Sequence, residues 1–90
     1  MADNVFIAFQ TSDESRAIVE AILADNPGTT VDEQPAMVRV IRPCSLTIRR
    51  ETVEEHMGRD FDLQELQLYL ITLTGNIDET DDAFTLAWHN

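Results

Sequence analysis

Lysine does not occur in this chain, and its six cationic side chains are all arginines: Arg16, Arg39, Arg42, Arg49, Arg50 and Arg59. Against them stand 17 carboxylates, for a formal charge of −11 at neutral pH. Nucleic acid and anionic lipid are bound by neutralising phosphates with Lys and Arg, so a field of this sign repels both. Neither is expected as a partner. A basic protein surface is, because complementary charge speeds docking, although the same charge also simply keeps a small protein in solution. Cysteine is nearly missing too. Cys44 stands alone, which rules out an internal disulfide or a thiolate metal cluster and suits a reducing cytosol. Glycine occurs three times, at 28, 58 and 75, too sparsely for a phosphate-cradling loop. No run approaches the ~18 apolar residues that span a membrane. The start Met1-Ala2-Asp3-Asn4 has neither a basic segment nor an apolar stretch, so no secretory leader is expected and a cytoplasmic location is.

What is present is the composition of a folded protein. The chain of 90 residues is 43% hydrophobic and 26% charged, unlike a disordered tail. Residues 1–90 are read as one domain. A chain this short buries only somewhat more than ~60% of its unfolded surface, so a deep catalytic cavity would consume much of its core.

The hydrophobic pattern divides into two similar halves, approximately 1–43 and 44–90. Val5-Phe6-Ile7-Ala8-Phe9-Gln10 reads as a strand. Thr11 and Glu14 form an expected capping box for a helix over about 13–25, with Ile18, Ala21 and Ile22 at helical spacing and Val19 and Leu23 widening the stripe. Asn26-Pro27-Gly28 stops it. Two extended runs follow, 29–33 and 37–42, broken by Pro35 and Pro43. The pattern then repeats. Ser45-Leu46-Thr47-Ile48-Arg49 alternates as a strand, and Thr52 with Glu55 suggests a second box over a short helix, 53–57, ended by Gly58. Asp62 with Glu65 suggests a third box, with Phe61 and Leu66 as a hydrophobic staple. Strand formers run from Leu68 to Thr74, the segment from Asn76 to Asp82 reads as an acidic loop, and a last strand is expected over 83–88. The expected fold is α+β: β-α-β-β followed by β-α-α-β-β, in small, mostly antiparallel sheets with helical cover. Neither half buries enough apolar area alone, so the two must pack together.

No template for chemistry fits. Ser12, Ser15 and Ser45 lie in no Gly-x-Ser-x-Gly turn, and the histidines are His56 and His89. A Cys44–His56 pair is the one conceivable nucleophilic couple, but a free cysteine reads more simply as a small hydrophobe. Glu51, Glu55 and His56 could serve a small metal-binding protein, but also read as a solvated acidic turn with a surface histidine. A calcium loop starting at Asn76 would need Gly sixth and Glu twelfth, where this chain has Asp81 and Ala87. No catalytic, cofactor-binding or metal-binding residue is assigned, and the residues alone also allow a generic acidic protein-interaction module. Thr72 and Thr74, alternating with Ile71 and Leu73 before the Gly75-Asn76 turn, read as a solvated sheet face or as a polar docking surface.

In order along nearly the whole chain, the segments Ala24-Asp25-Asn26-Pro27, Ser45 through Glu55, Met57-Gly58-Arg59-Asp60-Phe61-Asp62, and Gly75-Asn76-Ile77-Asp78-Glu79 through Phe84-Thr85-Leu86 form a specific signature. They resemble the small effector (coupling) components of multicomponent phenol hydroxylases. These belong to the wider family of regulatory proteins of soluble di-iron monooxygenases. The resemblance implies a non-catalytic subunit without metal or organic cofactor. It would bind the large di-iron oxygenase component, raising its turnover and coupling, while a separate reductase delivers electrons from NADH. It also implies that the strand before the Gly-Asn turn meets the oxygenase, which points to Ile71, Thr72, Leu73, Thr74, Gly75 and Asn76.

Overall fold

A strand alternating Val5, Ile7 and Phe9 toward one side opens the fold, and its partners explain the rest. The computed structural model describes residues 4–88. Strand β1 (Asn4–Gln10) is followed by helix α1 (Asp13–Asp25), strands β2 (Thr30–Glu33), β3 (Met37–Pro43) and β4 (Ser45–Arg49), and helix α2 (Arg50–Met57). A 3₁₀ turn (Leu63–Glu65) then leads into helix α3 (Leu66–Tyr69) and strands β5 (Leu70–Thr74), β6 (Asn76–Glu79) and β7 (Ala83–Ala87). The α+β class agrees with the sequence reading, and so does the order of elements apart from one added strand, β6.

Two antiparallel sheets result, one ordered β2-β3-β1-β5 and the other β4-β7-β6. Strand β5, from the second half of the chain, thus completes the sheet of the first. Helix α1 buries Ala17, Ile18, Val19, Ala21 and Ile22. All of these but Ala17 join Val5, Ile7 and Phe9 of one sheet and Leu46, Ile48, Phe84 and Leu86 of the other in one core cluster. Leu23 does not widen the stripe as expected. It remains 42% exposed, one residue past the face that Ile18 and Ile22 bury.

Several boundaries differ from the sequence expectation, and tertiary contacts explain them. The cap of α1 is Ser12, not Thr11: the Ser15 N–H donates to Ser12 Oγ at 3.1 Å, and the Ser12 N–H donates back to Ser15 Oγ at 2.9 Å. Thr11 is still held in the extended chain, its N–H donating to Ala36 O. Ser15, not Glu14, therefore closes the box. Helix α2 begins three residues earlier than expected, directly after β4, with no side-chain cap. Its first N–H, that of Arg50, instead donates to Asp82 O at 2.9 Å, a carbonyl brought by the β6–β7 turn. At the third site Asp62 does cap, accepting from the Gln64 N–H at 2.9 Å, but Glu65 pairs with Arg59 at 3.3 Å and closes no box. Phe61 and Leu66 are both buried in the core, as a staple requires. Strand β5 starts at Leu70 because the chain remains helical through Tyr69.

The largest correction concerns Asn76–Glu79, read as loop and found as strand β6, paired with β7 from Asn76↔Ala87 to Glu79↔Phe84. All four of its residues are exposed, so no inside-outside alternation marks it in the sequence. Its acidic side chains suit an unpaired sheet edge, which they protect from pairing with another chain.

Candidate docking edge

The six residues singled out lie where the two sheets meet. Strand β5 is the outer strand of one sheet and β6 the outer strand of the other, and Gly75 joins them. The register explains what each residue presents. Thr74 pairs with Phe6, Leu73 with Ile7, Thr72 with Ala8, and then the ladder slips so that Leu70 pairs with Phe9. Ile71 is the extra residue of this bulge, which breaks the expected alternation and turns its side chain out, 46% exposed. Thr72 and Asn76 are also exposed and Thr74 partly so, while Leu73 packs against the core.

Gly75 serves geometry. Its φ of +126° lies where L side chains rarely go, and a Cβ there would stand 3.0 Å from Val5 Cγ1 and 3.6 Å from Leu86 Cβ. Only a residue without a side chain lets the chain cross between β1 and β7 at this point. No signal in the sequence separates this role from that of an ordinary turn glycine, because it depends on Val5 and Leu86.

Beside β6 an open cleft of about 1100 Å³ is lined by Glu54, Asp60, Asp62, Glu79, Asp81 and Asp82, with Arg50 among them. Arg50 reaches Asp82 at 3.2 Å. Two more arginines are committed within the chain. Arg39 pairs with Asp32 at 3.1 Å, and Arg42 donates to Ser45 O at 2.7 Å and Pro27 O at 3.0 Å.

Glu51, Glu55 and His56 are exposed, and His56 Nδ1 lies 3.0 Å from Thr52 O, within its own helix. Among the described residues no group of three or more His, Cys, Asp or Glu side chains converges as a metal would require. Cys44 is exposed in the turn between β3 and β4, at a φ of +71°. His89 lies outside the described residues. No helix among them is long and apolar enough to cross a membrane.

Comparison with known proteins accounts for the whole chain. The model of the MmoB/DmpM family matches residues 3–87. The stimulatory component DmpM of phenol 2-monooxygenase from Pseudomonas sp. strain CF600 is 51% identical over 90 residues, all of both chains. The effector subunit of the alkene monooxygenase system of Xanthobacter autotrophicus strain ATCC BAA-1158 / Py2 is 32% identical over 76 residues, 80% of this chain and 73% of that one. Among solved structures, a chain of a phenol hydroxylase–regulatory protein complex superposes with a TM-score of 0.91 at 47% identity, covering 97% of this chain and 100% of that one. The fold, the order of the signature segments and the end-to-end identity agree, and the chain belongs to the MmoB/DmpM family.

Proposed function

We propose that this chain is the cofactor-free effector of a multicomponent aromatic monooxygenase. It binds the large di-iron oxygenase component, raises its turnover, and couples electrons supplied from NADH by a separate reductase to hydroxylation of phenol or a related aromatic. The oxidation chemistry belongs to the partner. This chain acts as a single regulatory domain over residues 1–90, in the cytoplasm, where NADH is supplied and Cys44 stays reduced. The observation that carries the reading is the 51% identity, over the full length of both chains, to a stimulatory component of phenol 2-monooxygenase.

Ile71, Thr72, Leu73, Thr74, Gly75 and Asn76 form the working edge. Ile71 offers exposed apolar area, Thr72, Thr74 and Asn76 offer adaptable hydrogen bonds, and Leu73 and Gly75 fix their positions against β1. An effector shifts a partner's equilibrium only by its difference in affinity for two partner states, and about 1–3 kcal/mol of coupling changes a population about 5–150-fold. Contacts made mainly in the activated complex supply that difference.

Adding the chain to purified oxygenase and reductase is expected to raise phenol consumption and to lower the peroxide released per NADH oxidised. No change in either quantity would refute the reading. In the same assay the double variant Thr72→Ala/Thr74→Ala is expected to give a lower maximal rate at saturating effector. Full activation with an unchanged half-saturating concentration would remove this edge from the site.

A further inference from the structure

The core uses one face of the four-stranded sheet, and the other face lies open. Val5, Ile7 and Phe9 of β1 point into the core with Val38 and Val40 of β3. The register fixes their neighbours on the opposite side. Phe6 sits between Ile41 and Thr74, Ala8 between Arg39 and Thr72, and Gln10 beside Met37. Phe6, Met37 and Ile41 are partly exposed, and none belongs to the core cluster or packs against it. Gln10, Thr30 and Thr72 are exposed, so no element among the described residues covers this face. Ala8, the small residue between Arg39 and Thr72 in the register, is fully buried. The Arg39 guanidinium carbon lies 5.7 Å from the centre of the Phe6 ring while its NH2 group holds Asp32. The arginine is thus laid flat across the sheet.

Apolar side chains distinguish this face from the open face of the other sheet, where Thr47 and Thr85 sit between Arg49 and Asp78. By register, Arg39 and Asp32 are the only ionised side chains on it among the described residues, and they cancel, in a chain of net charge −11. An uncharged patch of Phe, Met, Ile and Thr around one arginine has the composition of the centre of a protein interface, where charge is depleted and aromatic residues, Met and Arg are enriched.

Size points the same way. The edge Ile71–Asn76 supplies six residues, against about 20–30 per side in a stable complex burying about 800 Å² per partner. The docking surface must extend from that edge. Toward β6 it would run into Asp78, Glu79, Asp81 and Asp82, whose desolvation is costly. Toward β1 it continues without a break from Thr72 and Thr74 to Ala8 and Phe6, then to Arg39 and Ile41. The three further strands, about 4.8 Å apart and about five residues long, add roughly 250 Å².

We infer that the open face of the β2-β3-β1-β5 sheet, centred on Phe6, Arg39 and Ile41, is the main apolar docking surface for the oxygenase component. This rests on the effector reading above. The oxygenase meets it with a flat, uncharged patch inside a basic rim. The acidic remainder of the effector steers the approach, and this face makes the contact.

The test is a titration of oxygenase activation with variants that place a carboxylate on the face. Ile41→Glu and Met37→Glu are both expected to raise the half-saturating effector concentration tenfold or more, with the thermal midpoint of the free protein little changed. Thr85→Glu, on the open face of the other sheet, serves as the matched charge control and is expected to titrate like the unaltered protein. Two sheet-face variants guard against one of them failing to fold. If the unaltered chain activates and a folded Ile41→Glu or Met37→Glu titrates identically to it, the face is not the docking surface. If Thr85→Glu weakens binding as much, the effect is general charge, and the inference also fails. If sedimentation shows that free effector self-associates through this face and the variants abolish only that, the face is a self-contact and the inference is overturned. Failure of the unaltered chain to activate at all refutes the effector reading instead, so the two failures are distinct.

Discussion

Among the described residues, Asn26 is the one whose side chain ties the end of helix α1 to the second half of the chain by direct hydrogen bonds, and its removal gives the sharpest test of the fold. It is 5% exposed at the C-cap of α1. Its Nδ2 donates to Ile22 O at 2.8 Å and to Thr47 O at 2.7 Å, and its Oδ1 accepts from the Thr47 N–H at 2.9 Å. The side-chain amide thus stands where another strand would pair with the edge of β4. Asn26→Ala removes three buried hydrogen bonds at about 1 kcal/mol net each and leaves Thr47 without partners on that side, a loss of about 2–4 kcal/mol. A whole domain is stable by only about 5–15 kcal/mol, and at this size each kcal/mol moves the melting midpoint by about 4–8 °C. The midpoint is expected to fall by roughly 10–25 °C. Asn26→Asp keeps the shape but turns a carboxylate oxygen toward two carbonyls, so near neutral pH it is expected to be less stable than Asn26→Ala. Burial raises the introduced carboxyl's folded pKa above its unfolded value. Between the two values the folded state binds more proton, so the aspartate variant gains stability relative to the alanine variant as pH falls through the folded pKa. Urea unfolding followed by circular dichroism at neutral and mildly acidic pH measures both effects. An alanine variant within about 0.5 kcal/mol of the unaltered protein, or a gap between the variants that widens on acidification, would refute the role assigned to Asn26.

Three further substitutions test features absent from the sequence reading. Ser12→Ala is expected to cost about 1 kcal/mol in urea unfolding, whereas Thr11→Ala stays within about 0.5 kcal/mol, because Ser12 holds the cap. Equal losses at the two positions would contradict that placement. Gly75→Ala is expected to lower stability by about 2–4 kcal/mol, from an unfavourable φ and a Cβ pressed on buried Val5. An unchanged melting midpoint would show that the crossing between the sheets tolerates a side chain.

Local chemistry was enough to read α1, whose limits follow from acidic residues at its start and Asn26-Pro27-Gly28 at its end, and β4, whose alternation is strict. Features decided by distant partners were not legible. The cap of α1 shifted because Ala36 O still holds Thr11, and α2 needed no side-chain cap because Asp82 O supplies one. Strand β6 was hidden because every one of its residues is exposed. The proposed docking edge came from the resemblance, since its composition alone also suits a solvated sheet face, and its shape was not legible at all. The bulge at Ile71 exists only against β1, and the open sheet face appears only once Phe6, Arg39 and Thr72 are aligned by register.

That alignment bears on how so small a protein regulates a much larger one. The edge strands β5 and β6 are joined by a glycine wedged against Val5 and Leu86, and both sheets contribute to one core cluster. The proposed docking edge is therefore held by the same packing that holds the fold, and cannot rearrange without loss of that packing. A rigid effector has no second state of its own to select, so the free energy that separates two oxygenase states comes from contacts that fit one of them better. Core and surface substitutions should then separate in their effects. Asn26→Ala lowers the fraction of folded effector, and adding more protein restores full activation. Thr72→Ala/Thr74→Ala leaves the fold intact, and no concentration restores the maximal rate. An Asn26→Ala protein that is folded and bound yet activates poorly would contradict a rigid template and require an effector that changes shape on its partner.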